Sequence, residues 1–377
     1  MADQSQSANQ LSDALDESHT GPATQVNGTE KASAYTEPVL GLLRYLPAGH
    51  VPEVNGNRIQ LPSLHEFGDE RLLSLHNIRP IPKISDIENC PNNIRLDTHR
   101  FLAIQHPISL NQAPYTPESF KDPQLLKQYL VPATIEMLKT VTGCKSVIID
   151  TIVLRDALYS DEDAVSKHDN KKDEPDDPRE TFPEFIGFDA KHGGATPAPK
   201  VHTDYTSKGA RNLLRYYHPV TTEAAASIIS HEDALLAEGK DLKEAYKHSG
   251  GPRWALYSIW RPLKTVKRDP LAVADYQTFG EENFVPMVVR YPRLGLPGAS
   301  ETYESESILA TYSEKQKWHW IDAQTSEEIW IVRFFDSQDE RAGSGASGGA
   351  FHSSVHLPGT EDEAPRESLE CRLTCIW

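Results

Sequence analysis

One tripeptide carries the residue types of a metal site: His202-Thr203-Asp204, in the segment PKVHTDYTSKGA. Alternate side chains of a strand share a face, so in a strand His202 and Asp204 point together while Thr203 points away. One imidazole and one carboxylate, joined by a second imidazole from elsewhere, make the facial triad that holds non-haem Fe(II) and leaves positions open for a bidentate 2-oxo acid and O₂. The tripeptide alone is a weak signal, because most such pairs are surface residues or satisfied hydrogen-bonding partners.

The second imidazole has two candidates, His352 and His356, in AFHSSVHLPGTEDEAPRESLECR. The two histidines have the same strand parity, so either could face a pocket. His356 lies ten residues before Arg366, and His352 lies fourteen residues before it. The shorter spacing favours His356 if the intervening turn is tight, whereas a longer turn (LPGTEDEAP) can absorb four more residues and admit His352.

Arg366 and Ser368 form an R-x-S pair on a strand that returns after this turn. A guanidinium matches a carboxylate with two parallel hydrogen bonds, and a serine hydroxyl adds one more. We therefore expect this pair to bind the distal carboxylate of 2-oxoglutarate. Arg372 shares the parity of Arg366 and is the second candidate, although an ion pair on a sheet face explains it equally well. The combination with His202 and Asp204 is far more specific than any of its members.

Tyr205 and Arg211, which follow the tripeptide, and Trp260 and Arg261, in SIWRPL, are candidates for substrate contacts. An aromatic ring and a cation could together hold a carboxylated substrate. Neighbouring residues of a strand face opposite sides, so only one of Trp260 and Arg261 is expected to reach a pocket. Each candidate also has a structural explanation, with the aromatic ring in the core and the arginine in an ion pair.

The composition favours a small-molecule partner. A formal net charge of −17 repels nucleic acid and anionic membranes, and no apolar run is long enough to predict a membrane span. The N-terminal segment has neither a basic start nor an apolar stretch, so we expect a cytoplasmic protein. The oligomeric state is left open.

The chain divides into a polar tail and one large domain. Residues 1–35 are rich in Ser, Gln, Asn and Asp and are predicted to be disordered. Residues 36–377 are predicted to form a single domain, interrupted at about 160–200 by an acidic loop insertion. Between Leu40 and Ile108, short apolar runs among prolines predict irregular structure and edge strands.

Helices are expected early in the chain and strands late. Apolar residues at helical spacing predict a helix over 122–143, which Gly143 would end and Pro132 could kink. A second helix is predicted at about 221–237, with Thr221 at its start. Strands are predicted at 144–156, 253–263, 284–291, 317–323, 328–337, 350–355 and 367–377. This order indicates an α+β fold with a double-stranded β-helix (jelly-roll) core and flanking helices.

Four segments resemble a fungal hydroxylase/desaturase family that includes enzymes similar to aspergillic acid hydroxylase, gibberellin desaturase and the cephem methoxylation component. They are HTDYTSKGARNLL, WRPLKTVKRDPLAVAD, WIDAQTSEEIWIVRFFDS and FHSSV…PRESLECR. The resemblance extends from about Tyr45 to the C-terminus. It implies an Fe(II)- and 2-oxoglutarate-dependent dioxygenase that uses O₂ to hydroxylate, desaturate or cyclise a small molecule of secondary metabolism. It also assigns the metal to His202, Asp204 and His352, and the co-substrate to Arg366 with Ser368.

Two other functions use the same residues. A cupin-like isomerase or hydrolase would keep the metal without a redox co-substrate, but it would need no 2-oxo acid anchor such as Arg366. A jelly-roll binding module would need no metal. Succinate formation from 2-oxoglutarate separates the first alternative from the oxygenase, and binding of Fe(II) or Mn(II) that is lost in His202→Ala excludes the second.

Overall fold

The computed structural model of the protein describes residues 38–52, 61–90, 92–160, 177–189, 193–294, 302–341 and 348–377. The predicted tail, residues 1–35, lies outside them, as do residues 161–176 and 190–192 of the predicted acidic insertion. The described residues belong to one compact unit that begins at Pro38.

Two β-sheets form the core, as the β-branched and aromatic segments of the sequence predict. The strands in the described residues are β1 (Leu40–Tyr45), β2 (Asp69–Asn77), β3 (Phe101–Gln105), β4 (Ser146–Arg155), β5 (Glu184–Ile186), β6 (His202–Thr203), β7 (Trp254–Pro262), β8 (Leu271–Ala274), β9 (Phe284–Pro292), β10 (Thr302–Ala310), β11 (Trp318–Trp320), β12 (Glu328–Asp336), β13 (His352–Ser354) and β14 (Ser368–Ile376). One sheet has the order β1-β2-β11-β8-β13-β6-β10-β9, and the other has the order β3-β12-β7-β14-β4-β5. The architecture is α+β with a jelly-roll core.

Helices flank these sheets. They are α1 (Leu96–His99), α2 (Pro123–Leu125), α3 (Val131–Thr142), α4 (Ser207–Tyr216), α5 (Pro219–Ala224), α6 (Ala226–Ala237), α7 (Leu242–Ser249) and α8 (Ser337–Arg341). Short 3₁₀ turns lie at Leu64–Glu66, Ile84–Asn89, Ser109–Asn111, Pro117–Lys121, Tyr276–Thr278 and Glu281–Asn283. Among the described residues, no helix combines the length and the apolar character that a membrane crossing requires.

The helix predicted over 122–143 is confirmed, with an irregularity at the predicted place. A π-helical turn, Leu126–Leu130, joins α2 to α3, and Pro132 is the second residue of α3. Proline has no N–H to donate to the preceding turn, which accounts for the break in the α-helical pattern. Gly143 ends the helix in the left-handed conformation, with φ of 71°.

The predicted start of the second helix is wrong. The segment forms two helices, α5 and α6, and α5 begins at Pro219. The His218 side chain caps it by accepting a hydrogen bond from the backbone N–H of Val220. Thr221 lies inside α5, where its hydroxyl donates to the buried carboxylate of Asp150 at 2.5 Å.

The predicted strands are present, although several are shorter than predicted. β8 and β10 were missed, and so were α4 and α7. In β10 (TYESESILA), buried Tyr303, Ser305 and Ser307 alternate with Glu304 and Glu306, so the segment has the strand period but too little apolar character to stand out.

The six-stranded sheet is covered on one face by the α2–α3 region. Leu369, Cys371 and Leu373 of β14 pack in one hydrophobic cluster with Leu130 and Leu138. Since successive residues of a strand point to opposite faces, the residues between them project from the other face of the sheet. That second face is available to carry the polar residues of a site.

Candidate active site

His202 and His352 are brought together by direct strand pairing. They lie on the adjacent antiparallel strands β6 and β13 and are register partners. Their ring centroids are 4.4 Å apart. A separation of 150 residues in the sequence is therefore closed by one cross-strand contact, which is the closest approach that a sheet gives two side chains.

Asp204 lies at the junction between β6 and α4, and β10 holds this junction in place. The Ser307 hydroxyl donates to the backbone oxygen of Asp204 at 2.8 Å. Thr206 caps α4 by accepting from the Gly209 N–H at 3.1 Å, and its hydroxyl donates to Glu306 at 2.7 Å. A Cβ at Gly209 would lie 2.3 Å from the Glu306 backbone oxygen, so only glycine permits this close approach.

The three side chains converge on one point. Asp204 Oδ1 lies 3.4 Å from His202 Nε2 and 3.6 Å from His352 Nε2, and the potential ligand atoms of the three residues lie within 4.8 Å of one another. Donors about 2.1 Å from a metal and at right angles to each other are ~3 Å apart. Two imidazole nitrogens and one carboxylate oxygen at these separations fit a facial Fe(II) site.

Backbone carbonyls fix the orientation of both imidazoles. The Nδ1 atom of His202 is 2.7 Å from the carbonyl oxygen of Lys200, and that of His352 is 3.1 Å from the carbonyl oxygen of Ala350. An N–H at Nδ1 leaves the Nε2 lone pair directed at the convergence point, which is the tautomer a metal ligand requires. Burial, assisted by His202, lowers the pKa of His352 to about 4, which keeps its ring neutral.

His356 does not reach this point. Strand β13 ends at Ser354, so the shared parity of the two histidines does not continue to His356. Its backbone bridges Leu42 near β1, and its Nε2 atom lies 3.0 Å from Glu361 Oε1. The structure thus brings His352, and not His356, to His202 and Asp204.

Both sheets contribute to a cavity beside the three side chains. Its lining comprises Arg155, Ala198, His202, Ser258, Trp260, Leu271, Val332, Phe334, His352, Ser354, Arg366, Glu370 and Arg372. We call it the charged cavity. Arg366, Glu370 and Arg372 come from the inner face of the C-terminal strand region, and the two histidines come from the other sheet.

Arg366 is buried in this cavity, and its guanidinium has a donor without a hydrogen-bond partner among the described residues. Its Nη1 donates to the Asp269 backbone oxygen at 2.8 Å and to Ser354 Oγ at 3.3 Å, and its guanidinium lies 5.1 Å from the Trp260 ring centroid. Neither Arg366 Nε nor the fully buried Ser368 hydroxyl has a hydrogen-bond partner among the described residues. Buried polar groups without partners are rare. Arg366 lines the cavity and could pair with a ligand carboxylate there, whereas Ser368 is not among the lining residues.

Arg372, the second candidate anchor, is engaged differently. Its Nη2 forms an ion pair with Asp204 Oδ2 at 3.0 Å without hydrogen-bond geometry, and its Nε donates to Glu370 Oε1 at 2.7 Å. Glu370 Oε2 accepts from Arg155 at 2.9 Å. Burial alone would raise the pKa values of both carboxyl groups. Arg372 chiefly holds that of Asp204 well below its usual range, and Arg372 with Arg155 lowers that of Glu370 to about 2. This arrangement favours Arg366 as the carboxylate anchor.

The four substrate candidates separate into two pairs. Trp260 lines the charged cavity, whereas Arg261 projects from the opposite face of β7 and donates to the backbone oxygens of Ser326 and His106. Arg211 forms a buried ion pair with Glu232 at 3.1 Å. For Arg261 and Arg211 the expectation of a cavity contact is therefore corrected, because internal acceptors hold both guanidinium groups.

Tyr205 is buried beside Asp204, and its ring lies 6.0 Å from that of Phe334. It lines a second cavity, described below, which shares Arg372 with the first. Two of the four candidates, Tyr205 and Trp260, therefore reach a cavity next to the three converging side chains.

Comparisons with known proteins agree with this chemistry. A family model described as "Oxidoreductase/YMDC permease-like domain" matches residues 74–376. Oxidoreductase chry3 of Gibberella zeae is 35% identical over 380 residues, which cover 91% of this chain and 99% of the relative. The gibberellin cluster GA4 desaturase of Gibberella fujikuroi is 35% identical over 305 residues, covering 78% and 86%. Other curated relatives are named hydroxylase/desaturase or alpha-ketoglutarate-dependent dioxygenase.

The chain belongs to the fungal hydroxylase/desaturase family. This hydroxylase/desaturase is an iron- and 2-oxoglutarate-dependent dioxygenase that acts on a small molecule of secondary metabolism. Among solved structures, the iron and alpha-ketoglutarate-dependent endoperoxidase NvfI shares its fold, with a TM-score of 0.56 and 21% sequence identity over 91% of this chain and 99% of that one. The predicted class, cofactors and fold are confirmed.

Sequence reasoning missed several residues of the hydroxylase/desaturase site. Glu370 completes the series Arg366, Ser368, Glu370 and Arg372, whose period of two was a usable signal. Arg155 ends β4 and Ser354 ends β13. Nothing in their local sequence distinguishes these two from ordinary polar residues at strand ends.

Proposed function

We propose that His202, Asp204 and His352 hold Fe(II) in this enzyme, and that Arg366 with Ser368 binds the distal carboxylate of 2-oxoglutarate. The observation that carries the proposal is the convergence of two imidazoles and a carboxylate beside a cavity that is lined by both imidazoles and by the Arg366 guanidinium. The orphaned Arg366 Nε and Ser368 hydroxyl support the second part.

When bound with 2-oxoglutarate and O₂, the iron supplies an oxidant strong enough to remove hydrogen from an unactivated C–H bond. The protein orients the reactants and limits water. Arg366 fixes one end of the co-substrate, and the backbone carbonyls behind His202 and His352 hold the imidazoles. Phe334 stacks on His352 with ring centroids 5.4 Å apart and, with Leu271 and Val332, makes part of the wall apolar.

The co-substrate is placed by charge as well as by shape. Burial lowers the pKa of Arg366 to about 10, which still leaves it cationic at neutral pH. The acidity of the whole chain, with a net charge of −17, supports a small molecule over nucleic acid as the partner. A cytoplasmic location stays a prediction.

Succinate formation tests the proposal. The purified chain should convert 2-oxoglutarate to succinate only when both Fe(II) and O₂ are present, and His202→Ala should lose this activity. His65→Ala, which changes an exposed histidine, is the matched control and should retain it. Succinate formation that persists in His202→Ala, or that ignores a metal chelator, would contradict the proposed metal site.

A further inference from the structure

A second cavity meets the first at Arg372. Its lining comprises Asp150, Thr151, Ile186, Tyr205, Leu213, Tyr217, Tyr291, Leu294, Tyr303 and Arg372. We call it the tyrosine cavity. Arg372 Nη2 contacts Asp204, and Tyr205 follows Asp204 directly in the chain. A molecule in this cavity therefore lies next to the proposed metal ligands.

Two phenols in this cavity lack partners. The side chains of Tyr205 and Tyr303 are buried, and neither hydroxyl makes a hydrogen bond to a described residue, but neither is fully shielded from solvent. Tyr217, by contrast, is hydrogen-bonded to Thr151. A phenol is protonated at neutral pH, so both hydroxyls can donate. Two hydroxyl donors without a protein partner line this cavity, and each is available to an acceptor bound there.

Arg372 offers a third donor. Its Nε donates to Glu370 and its Nη2 forms an ion pair with Asp204, whereas Nη1 makes no hydrogen bond or ion pair with a described residue. The guanidinium can therefore reach a ligand in the tyrosine cavity without releasing either carboxylate. This third donor lies at the boundary between the two cavities.

The charges around Arg372 argue against an anionic ligand. Asp204 and Glu370 flank Arg372, and Arg155 pairs with Glu370 on its other side. Each of these two cations already faces an anion, and a divalent metal beside Asp204 would be matched by the two negative charges of 2-oxoglutarate, so neither arginine is left free to pair with a further carboxylate. Asp150, the other ionisable group besides arginine and tyrosine in the described lining, can only add negative charge.

The walls are suited to rings. Tyr303 lies 6.0 Å from Tyr291 and 6.5 Å from Tyr217 between ring centroids, and the aliphatic side chains of Ile186, Leu213 and Leu294 complete the lining. Such a surface gains most from contact with flat or fused apolar rings.

We propose that the tyrosine cavity binds the substrate to be oxidised, and that this substrate is an uncharged, largely apolar ring compound whose carbonyl oxygen accepts hydrogen bonds from Tyr205, Tyr303 and Arg372 Nη1. The inference rests on the proposed function, because it takes the metal to lie beside Asp204. It assigns substrate selection to hydrogen bonds to a neutral oxygen rather than to an ion pair.

Three matched probes test the selectivity: 2-acetylnaphthalene, naphthalene and 2-naphthoate. Each is titrated calorimetrically into the wild-type chain loaded with Mn(II) and 2-oxoglutarate, so that no turnover occurs. The ketone should bind at least about threefold more tightly than the hydrocarbon, because its oxygen meets unpaired donors. It should bind at least about tenfold more tightly than the carboxylate, because Arg372, the one cation in the described lining, is already paired with Asp204 and Glu370.

Two variants locate the binding. Leu213→Trp fills the cavity and should abolish binding of all three probes, whereas Leu236→Trp, at an exposed leucine of α6, should leave it unchanged. Tyr303→Phe removes one hydroxyl and should weaken only the ketone, by about threefold to tenfold. Tyr216→Phe, at an exposed tyrosine of α4, is its control. If thermal unfolding shows that Leu213→Trp does not fold, Tyr303→Phe decides.

Separate readouts distinguish the two proposals. The affinity for 2-oxoglutarate, measured on the same wild-type sample, reports on the proposed function. Two results would overturn the assignment of the tyrosine cavity alone, provided that 2-oxoglutarate binds normally. One is an affinity for the ketone that Tyr303→Phe does not change, and the other is tighter binding of 2-naphthoate than of the ketone. Absence of metal-dependent 2-oxoglutarate binding overturns the proposed function.

Discussion

The two cavities that meet at Arg372 differ in what they offer a ligand. The charged cavity presents two imidazoles and the guanidinium of Arg366, with Glu370 and Arg155 nearby. The tyrosine cavity presents mainly phenols and aliphatic side chains, with residues from β5, α4, β9 and β10 among them. The difference suggests a division of tasks, in which fixed charges hold the metal and co-substrate while neutral groups select the substrate.

The largest effect should follow from the loss of a metal ligand. Asp204→Ala removes the one anionic ligand of the triad, so we expect the affinity for Mn(II) to fall more than about 100-fold and turnover to stop. Calorimetric titration of the metal measures this. Tyr303→Phe, in the tyrosine cavity, should leave metal affinity unchanged. This contrast would show that the two cavities have different functions.

The exposed Asp233, whose carboxylate pairs with Arg215 at the surface, provides the matched control. Asp233→Ala should bind metal as the wild type does. Retention of metal by Asp204→Ala would break the comparison, since the charged cavity would then have no distinct role.

Loss of the co-substrate anchor should have the next largest effect. Arg366→Ala leaves a buried carboxylate of 2-oxoglutarate unpaired, and we expect its dissociation constant to rise about 100-fold. Metal affinity should not change. The dissociation constant of 2-oxoglutarate for Arg366→Lys should lie between those of the wild type and Arg366→Ala, because lysine keeps the charge but lacks the planar guanidinium. Equilibrium binding of 2-oxoglutarate measures the effect, and Arg290→Ala, at an exposed arginine paired with Glu304, is the control. An unchanged affinity in Arg366→Ala rejects the anchor.

Arg372 should act on the metal rather than on the co-substrate. Arg372→Gln removes the charge that orients Asp204, so we expect metal affinity to fall about tenfold. Its effect on 2-oxoglutarate binding should be smaller, which is the reverse of the pattern for Arg366→Ala. Comparison of the two dissociation constants for each variant measures this split, and Arg372→Lys should recover part of the loss. If Arg372→Gln weakens 2-oxoglutarate and spares the metal, the roles of the two arginines must be exchanged.

The smallest effect on function is expected at Asp150, beside the tyrosine cavity. Burial raises its pKa to about 7, although Thr221 and Thr374 hydrogen bonds oppose the shift. Because the folded pKa exceeds the unfolded value of about 4, the protonated carboxyl stabilises the fold fully below pH 4, and this contribution is lost as the pH rises to about 7.

Asp150→Asn does not titrate. Relative to it, the wild type should lose roughly 3 kcal/mol of stability between pH 4 and pH 7, and the loss should level off near pH 8. Urea unfolding of both proteins across this range measures the difference. Parallel stability curves would show that Asp150 is ionised in the folded protein throughout.

The charged cavity could largely be predicted from the sequence. His202 and Asp204 are two residues apart, and Arg366, Ser368 and Arg372 share one strand parity. Local strand geometry alone therefore predicts that the members of each set share a face. The choice between His352 and His356 could not be made from spacing. It depends on where β13 ends, which is set by its pairing with β6 and β8 and not by the histidines.

The tyrosine cavity could not be predicted from the sequence. Of its four tyrosines, Tyr205 was named because of its neighbour Asp204, whereas Tyr291 and Tyr303 become neighbours through the pairing of β9 with β10. Strand β10 was not predicted because its sequence is too polar to stand out as a strand. Arg211 and Arg261 had the right chemistry for a substrate contact, but their partners, Glu232 and the Ser326 carbonyl, are supplied by distant segments.

The most direct test of the account is an anaerobic calorimetric titration of Fe(II) into the wild type, His352→Ala and His356→Ala. The account predicts that the wild type and His356→Ala each bind one ion with the same affinity, and that His352→Ala loses at least about 100-fold. Equal binding by His352→Ala and the wild type, or loss of the ion in His356→Ala, would contradict it.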